Sequence, residues 1–154
     1  MIAEAVAGDE LALVRELFEE YAAWLGFSLA FQGFDAELAG LPGAYAPPAG
    51  RLLLARCGGA AAGCGGLRPL SGGACEMKRL YVRPAFRGRA LGRLLARRLV
   101  AEAATTGYAR MLLDTIPARM AGAERLYRSL GFREVPAYYD NPVPGVSYLE
   151  LRLG

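Results

Sequence analysis

The segment Glu76 to Val100, EMKRLYVRPAFRGRALGRLLARRLV, gathers the residues of this chain best suited to chemistry. A strand pattern runs through Pro84 and a glycine-containing turn directly into a helix pattern. The first turn of a helix carries backbone N–H groups with no partner inside the helix, and the helix dipole adds partial positive charge. Such a junction can therefore hold a phosphate by amides alone. Gly88 and Gly92 have no side chain to block the approach. Lys78 to Arg98 also holds eight bases and no acid, a field that would attract phosphates, although a solvated cationic face reads the same way. The stretch is not a Walker loop, because Lys78 is its only lysine, and Gly88 to Gly92 lacks the spacing of a dinucleotide fingerprint.

The composition excludes much else. With no histidine there is no Ser-His-Asp or Cys-His nucleophile, no histidine base and no histidine-rich metal centre. Cys57, Cys64 and Cys75 cannot pair completely and lack C-x-x-C spacing, so they read as buried reduced thiols, and no metal is expected. No apolar run approaches a membrane span, and the acidic start (Glu4, Asp9, Glu10) does not suit a secretory leader, so a cytoplasmic protein without a membrane partner is expected. The formal charge of +3 hides an asymmetry. Up to Cys75, four arginines face eight acids, a net −4; beyond it, fourteen Lys and Arg face seven acids, a net +7. Seventeen of the eighteen bases are arginine, which a biased genome would also produce.

The elements that must position these residues fit one domain over residues 1–154. A strand near Ile2 to Val6 precedes Asp9, which can cap a helix with the apolar face Val14, Leu17, Phe18, Tyr21 and Leu25. A short helix near Asp35 to Ala39 follows. Arg51 to Cys57, Ala60 to Leu67 and Cys75 to Val82 read as a strand meander. The central helix spans about Gly88 to Thr106, with Leu91, Leu95, Leu99 and Ala103 inward. Arg110 to Thr115 is a buried strand, Ala121 to Leu130 a helix, and Phe132 to Val135 and Val146 to Leu153 the last strands.

With these residues in place, the chain resembles the GNAT superfamily of N-acetyltransferases. Arg87-Gly88-Arg89-Ala90-Leu91-Gly92 is similar to the family signature Arg/Gln-x-x-Gly-x-Gly/Ala, with Ala90 where the first motif glycine usually sits. LYVRP before it and Leu126-Tyr127-Arg128-Ser129-Leu130-Gly131-Phe132 after it match as well, so the resemblance covers at least Cys75 to Val135. It implies an α/β fold with a mixed, mostly antiparallel sheet of about seven strands flanked by about four helices. It also implies acetyl-CoA as co-substrate. The amides of Gly88, Arg89, Ala90, Leu91, Gly92 and Arg93 would hold the pyrophosphate, with charge from the Arg87, Arg89 and Arg93 side chains. The backbone of Leu80, Tyr81 and Val82 would pair with the pantetheine arm.

Amide formation needs a neutral amine and a proton for the departing thiolate. Period-2 alternation puts Glu76 on one face with Lys78, Leu80 and Val82, and its position matches a base in some family members. A salt bridge with Lys78 or Arg68 is the competing reading. Tyr127 matches the tyrosine that family members commonly place near the CoA sulfur as general acid or thiolate hydrogen-bond donor, against a competing role in core packing. Met120 stands where the family often has asparagine. Cys75 would point away from Glu76, so direct transfer in a ternary complex is favoured over a cysteine acyl-enzyme. In similar folds the N-terminal region and the loop Pro136 to Pro142, here with Tyr138, Tyr139 and Asp140, flank the acyl end of the cleft, so the acceptor is expected there, and the acidic first 75 residues favour a basic amine, from a small molecule or a protein. A non-catalytic acetyl-CoA sensor is the alternative. A nucleic-acid partner is not expected, since the Arg-rich helix must bury half its surface and few aromatics interleave; a homodimer stays open.

Overall fold

Strands and helices alternate through the computed structural model, which describes residues 1–118 and 120–154. The strands are β1 (Ile2–Glu4), β2 (Arg51–Cys57), β3 (Ala60–Pro69), β4 (Ala74–Val82), β5 (Arg110–Thr115), β6 (Arg133–Val135) and β7 (Ser147–Arg152). They form one seven-stranded sheet in the order β1-β2-β3-β4-β5-β7-β6. Only the β4–β5 pairing is parallel; the others are antiparallel. Four α-helices flank it: α1 (Gly8–Leu25), α2 (Phe34–Ala39), α3 (Leu91–Thr106) and α4 (Ala121–Ser129). The sequence-derived fold class is therefore the observed one.

Period-2 strands between two helical layers give two cores. On one face Val14, Leu17 and Phe18 of α1 pack with Leu52, Leu54, Cys64 and Tyr81. On the other, Leu95 and Leu99 of α3 and Tyr127 of α4 pack with Leu67, Cys75, Met77, Met111 and Leu113. Arg51–Cys57 and Arg110–Thr115 have the bounds their patterns predict. Two helix starts differ. Asp9 does not cap α1: Ala7 holds that place in extended conformation without a side-chain bond, and Asp9 lies in the first turn, where its charge suits the dipole. The central helix begins at Leu91 rather than Gly88, because Gly88 (φ +82°) and Ala90 (φ +60°) are both left-handed and cannot continue a right-handed helix.

Two irregularities in β4 make the site. Opposite Cys64 to Gly66, β4 spends one residue more, from Lys78 to Tyr81, and Arg79 takes φ +61°. This bulge resets the alternation. Glu76, Lys78, Arg79 and Tyr81 face the α1 and α2 layer, whereas Leu80 and Val82 turn to the α3 side with Cys75 and Met77. The single face predicted for Glu76, Lys78, Leu80 and Val82 is thus split. Secondly, β4 and β5 pair only from Ala74–Arg110 to Glu76–Leu112. Beyond that rung the strands diverge, and Met77 to Val82 keep β3 on one side and an open edge on the other.

Candidate active site

The strand–turn–helix junction has the vacant amides that its sequence suggests. Leu94 N–H, bonded to the Ala90 carbonyl at 3.1 Å, is the first amide of α3 with a helical partner. No side chain caps the helix, and the amides of residues 88 to 93 have no hydrogen-bond partner among the described residues. A cleft of about 380 Å³ opens beside them, lined by Leu80, Tyr81 and Val82 from β4, Arg87, Gly88, Ala90, Leu91 and Gly92 from the turn, and Gly122, Ala123 and Leu126 from α4. Eight of the ten residues expected to bind the coenzyme meet there. Arg89 and Arg93 do not line it: Arg89 lies over the Phe86 ring at 5.6 Å, and Arg93 donates to the Ser129 hydroxyl at 3.1 Å.

The Arg-rich stretch divides by partner. Arg79 is bidentate on Glu37 (3.0 Å twice), Arg83 is held by Glu20 (2.6 Å) and Glu16 (3.3 Å), and Arg98 by Glu102 (2.9 Å). Arg87, Arg89, Arg93 and Arg97 have no acidic partner among the described residues, so the free positive charge gathers around the start of α3. Arg87 donates to the Val82 carbonyl at 3.0 Å and lies over Trp24 at 5.1 Å, which brings the half-exposed Trp24 to the cleft rim.

Leu80 and Met120 also line a narrow inner cavity of about 40 Å³ between the diverging strands. Tyr127, Lys78, Asp114 and Thr115 share its walls. Tyr127 is buried, its ring edge-on to Phe132 at 5.8 Å, and no described residue bonds its hydroxyl. Burial raises its pKa, which keeps the phenol protonated. The Thr115 hydroxyl is the one buried side-chain polar atom without a partner among the described residues. An orphaned hydroxyl, vacant amides and glycines facing the cleft together fit an elongated phosphate-bearing ligand that reaches from the α3 turn into the inner cavity.

A third space of about 310 Å³ shares Phe31, Gln32 and Lys78 with the inner cavity and adds Arg68, Leu70, Glu76, Tyr138 and Tyr139. Glu76 is buried here with both oxygens engaged: Arg68 donates to Oε1 at 2.9 Å and the Tyr138 hydroxyl to Oε2 at 2.5 Å. The salt bridge considered for it is therefore formed, with Arg68. Tyr139 and Asn141 bond Asp114, and Lys78 bonds Gln32 at 2.8 Å. Of the loop residues noted in the sequence, Tyr138 and Tyr139 line the space, whereas Asp140 is exposed and lines none of these cavities. Burial lifts the Cys75 pKa to about 12, and the thiol packs on the α3 side, away from Glu76.

Sequence reasoning did not single out Asp114, Thr115, Asn141, Gln32 and Trp24. Their signal is topological: the fold brings Gln32, Asp114, Thr115 and Asn141 to the cavity of Lys78 and Tyr127, and Trp24 to Arg87 at the cleft rim. Lys78 did carry a signal, as the single lysine of the chain.

This geometry has relatives. An uncharacterized N-acetyltransferase of Schizosaccharomyces pombe is 45% identical over 141 residues, spanning 90% of this chain and 86% of its own. An acetyltransferase of the GNAT family from Staphylococcus aureus shares the fold at TM-score 0.79 and 18% identity, over 100% of this chain and 99% of that one. A GNAT family acetyltransferase from Elizabethkingia anophelis, solved with acetyl-CoA bound, aligns at TM-score 0.58 and 23% identity over 68% and 77% of the two chains. A family model for the Acetyltransferase (GNAT) family matches residues 12–132, and with the fold and the α3 junction it shows that this chain belongs to the GNAT family of acetyltransferases.

Proposed function

We propose that the protein transfers the acetyl group of acetyl-CoA to an amine by direct attack in a ternary complex. One observation carries the reading: a cleft runs from the vacant amides of α3 along the open edge of β4 and meets, at Leu80 and Met120, the cavity holding Tyr127. Residues 88 to 93 would hold the pyrophosphate, with Arg87 adding charge from the rim and Arg89 and Arg93 extending the field around the turn. The open edge of Leu80 and Tyr81 supplies backbone groups to the pantetheine arm, with Val82, whose carbonyl accepts from Arg87, beside them, and the coenzyme brings the acetyl group as a thioester. Tyr127, protonated and without a competing partner, donates its proton to the thiolate as the C–S bond breaks. Glu76 serves as proton acceptor on the acceptor side, through water; a carboxylate has about four lone-pair sites, and Arg68 and Tyr138 leave some of them open. The test is thiol release from acetyl-CoA across an amine panel, with calorimetry in parallel. Coenzyme binding at 1:1 with amine-dependent thiol release is the expected result. Binding without turnover of any amine would favour a sensor module instead.

A further inference from the structure

Resting on the acetyltransferase reading, the class of acceptor follows from two charges on the inner cavity that have no counter-ion among the described residues. The first is Lys78, only 5% exposed. Its Nζ donates to Gln32 Oε1 at 2.8 Å, a neutral acceptor, and among the described residues no carboxylate comes within salt-bridge reach. The neighbouring cations are satisfied: Arg68 pairs with Glu76 and Arg79 with Glu37. The second is Asp114 on β5, which lines the same cavity. The Tyr139 hydroxyl and Asn141 Nδ2 both donate to its Oδ2, so neutral groups hold it and Oδ1 has no partner among the described residues.

A buried ion without a counter-ion is costly, and here the buried Lys78 and the partly buried Asp114 border one narrow cavity without pairing with each other. Each also keeps bonding capacity, N–H donors on Lys78 and an oxygen on Asp114. A ligand carrying the complementary charges would satisfy both. We propose that the acceptor is a zwitterionic α-amino acid, its carboxylate bound by Lys78 and its ammonium by Asp114. An α-amino acid carries its two charges on neighbouring atoms of one small group, so its recognition needs a cation and an anion on facing walls, which the β4–β5 divergence provides. Its amine is thereby placed in the cavity that Tyr127 lines, and its side chain points to the wider space bordered by Phe31, Tyr138 and Tyr139. Lysine suits this place in an otherwise arginine-only chain because its ammonium is a compact point charge.

The single lysine makes the test direct, since lysine labelled with carbon-13 at Cε gives one resonance. Burial, with Arg79 beside it and Arg68 adding to the effect against Glu76 and Asp114, lowers the Lys78 pKa to about 8. Wild-type protein is titrated with free L-amino acids and with the matching amides. The expected result is that one or more amino acids shift the Lys78 resonance and raise its titration midpoint, while the amides do not. In steady state, kcat/KM should favour the acid over its amide by roughly 10-fold or more, Lys78→Met should reduce that preference to about 2-fold or less, and Asp114→Asn should raise KM for the amino acid by roughly 10-fold. A Lys78 resonance unmoved by every amino acid, or equal use of acid and amide, overturns the proposal. Turnover of plain amines alone rejects it and leaves the transferase reading standing. A resonance that responds to amino acids in a protein that does not bind acetyl-CoA rejects the transferase reading and keeps the amino-acid site.

Discussion

Gly92→Glu drives the fold and the coenzyme site in opposite directions. Gly92 is the second residue of α3, and a Cβ there would lie 3.9 Å from both Leu126 Cδ2 and Val82 Cγ2, an ordinary contact, so a longer side chain grows into the cleft without moving backbone. For the fold, replacing a helical glycine recovers about 0.6–1 kcal/mol, and a carboxylate in the first turn adds about 0.3–1 kcal/mol. The free protein should gain about 1 kcal/mol and melt about 3 °C higher. For the coenzyme, the new carboxylate competes for the amides of residues 91 to 93 and repels the diphosphate. Losing two charge-assisted hydrogen bonds of about 1.5–3 kcal/mol each weakens Kd by more than about 100-fold. Calorimetry against acetyl-CoA and a thermal melt without it measure the two effects. Gly92→Ala, whose methyl meets only ordinary contacts, separates bulk from charge and should keep Kd within about 10-fold of wild type. If Gly92→Glu keeps its affinity within about threefold, the vacant amides are not the phosphate site.

Tyr127→Phe should lower kcat by about 100-fold with the coenzyme Kd unchanged, and because the hydroxyl has no partner among the described residues its unfolding free energy should stay within about 0.5 kcal/mol. Glu76→Gln should lower kcat by a similar factor and, by leaving Arg68 without its carboxylate, cost about 2 kcal/mol in urea unfolding; full turnover would send the search for a base elsewhere. Ala90→Gly relieves a left-handed alanine at a cost of about 1–2 kcal/mol in strain against about 0.5–1 kcal/mol of glycine entropy, so the melt should rise by about 2 °C. Lys78→Met should stabilise the protein by about 1–3 kcal/mol at pH 7, because a folded pKa of about 8, below the ordinary lysine value of 10.5, makes the charged lysine unfavourable in the native state. That penalty is complete below pH 8 and is relieved as pH climbs from 8 to 10.5, so the gain should shrink across that window in denaturant melts.

The sequence made the frame legible where a period runs unbroken. The stripe Leu91, Leu95, Leu99 and Ala103 announces α3, and RLLLARC and RMLLDT announce β2 and β5, because nothing local competes with the apolar pattern there. The junction before α3 was legible too, since it is local: a strand, a proline, a left-handed glycine and a helix start lie within one short stretch. The acceptor side was not. Asp114 comes to share a cavity with Lys78 where two parallel strands stop pairing after Glu76 and Leu112, and Gln32 and Tyr139, which bond each other at 3.0 Å, are 107 residues apart. The acidity of the first half is in part spent inside the fold. Glu16, Glu20 and Glu37 neutralise Arg83 and Arg79 inside the fold, so that charge holds α1 and α2 to β4 and does not project toward an acceptor.

The misassigned face of β4 shows what the bulge at Arg79 does. A regular strand would put Glu76, Lys78, Leu80 and Val82 on one side, crowding the groups of the acceptor space and the apolar wall of the coenzyme cleft into a single surface. The extra residue sends Leu80 and Val82 to the α3 layer and keeps Lys78 and Glu76 under α1, so one strand serves two spaces that meet at Leu80. A non-glycine residue with φ +61° costs about 1–2 kcal/mol, and the structure holds it there with three contacts: both Glu37 oxygens on the guanidinium, the Phe34 ring 5.1 Å from it, and the Cys64 thiol donating to the Arg79 carbonyl. Two of the three come from α2, a helix of six residues too short to be stable alone. The contribution of α2 is therefore mechanical: it clamps the bulge that lets one strand wall two separate spaces.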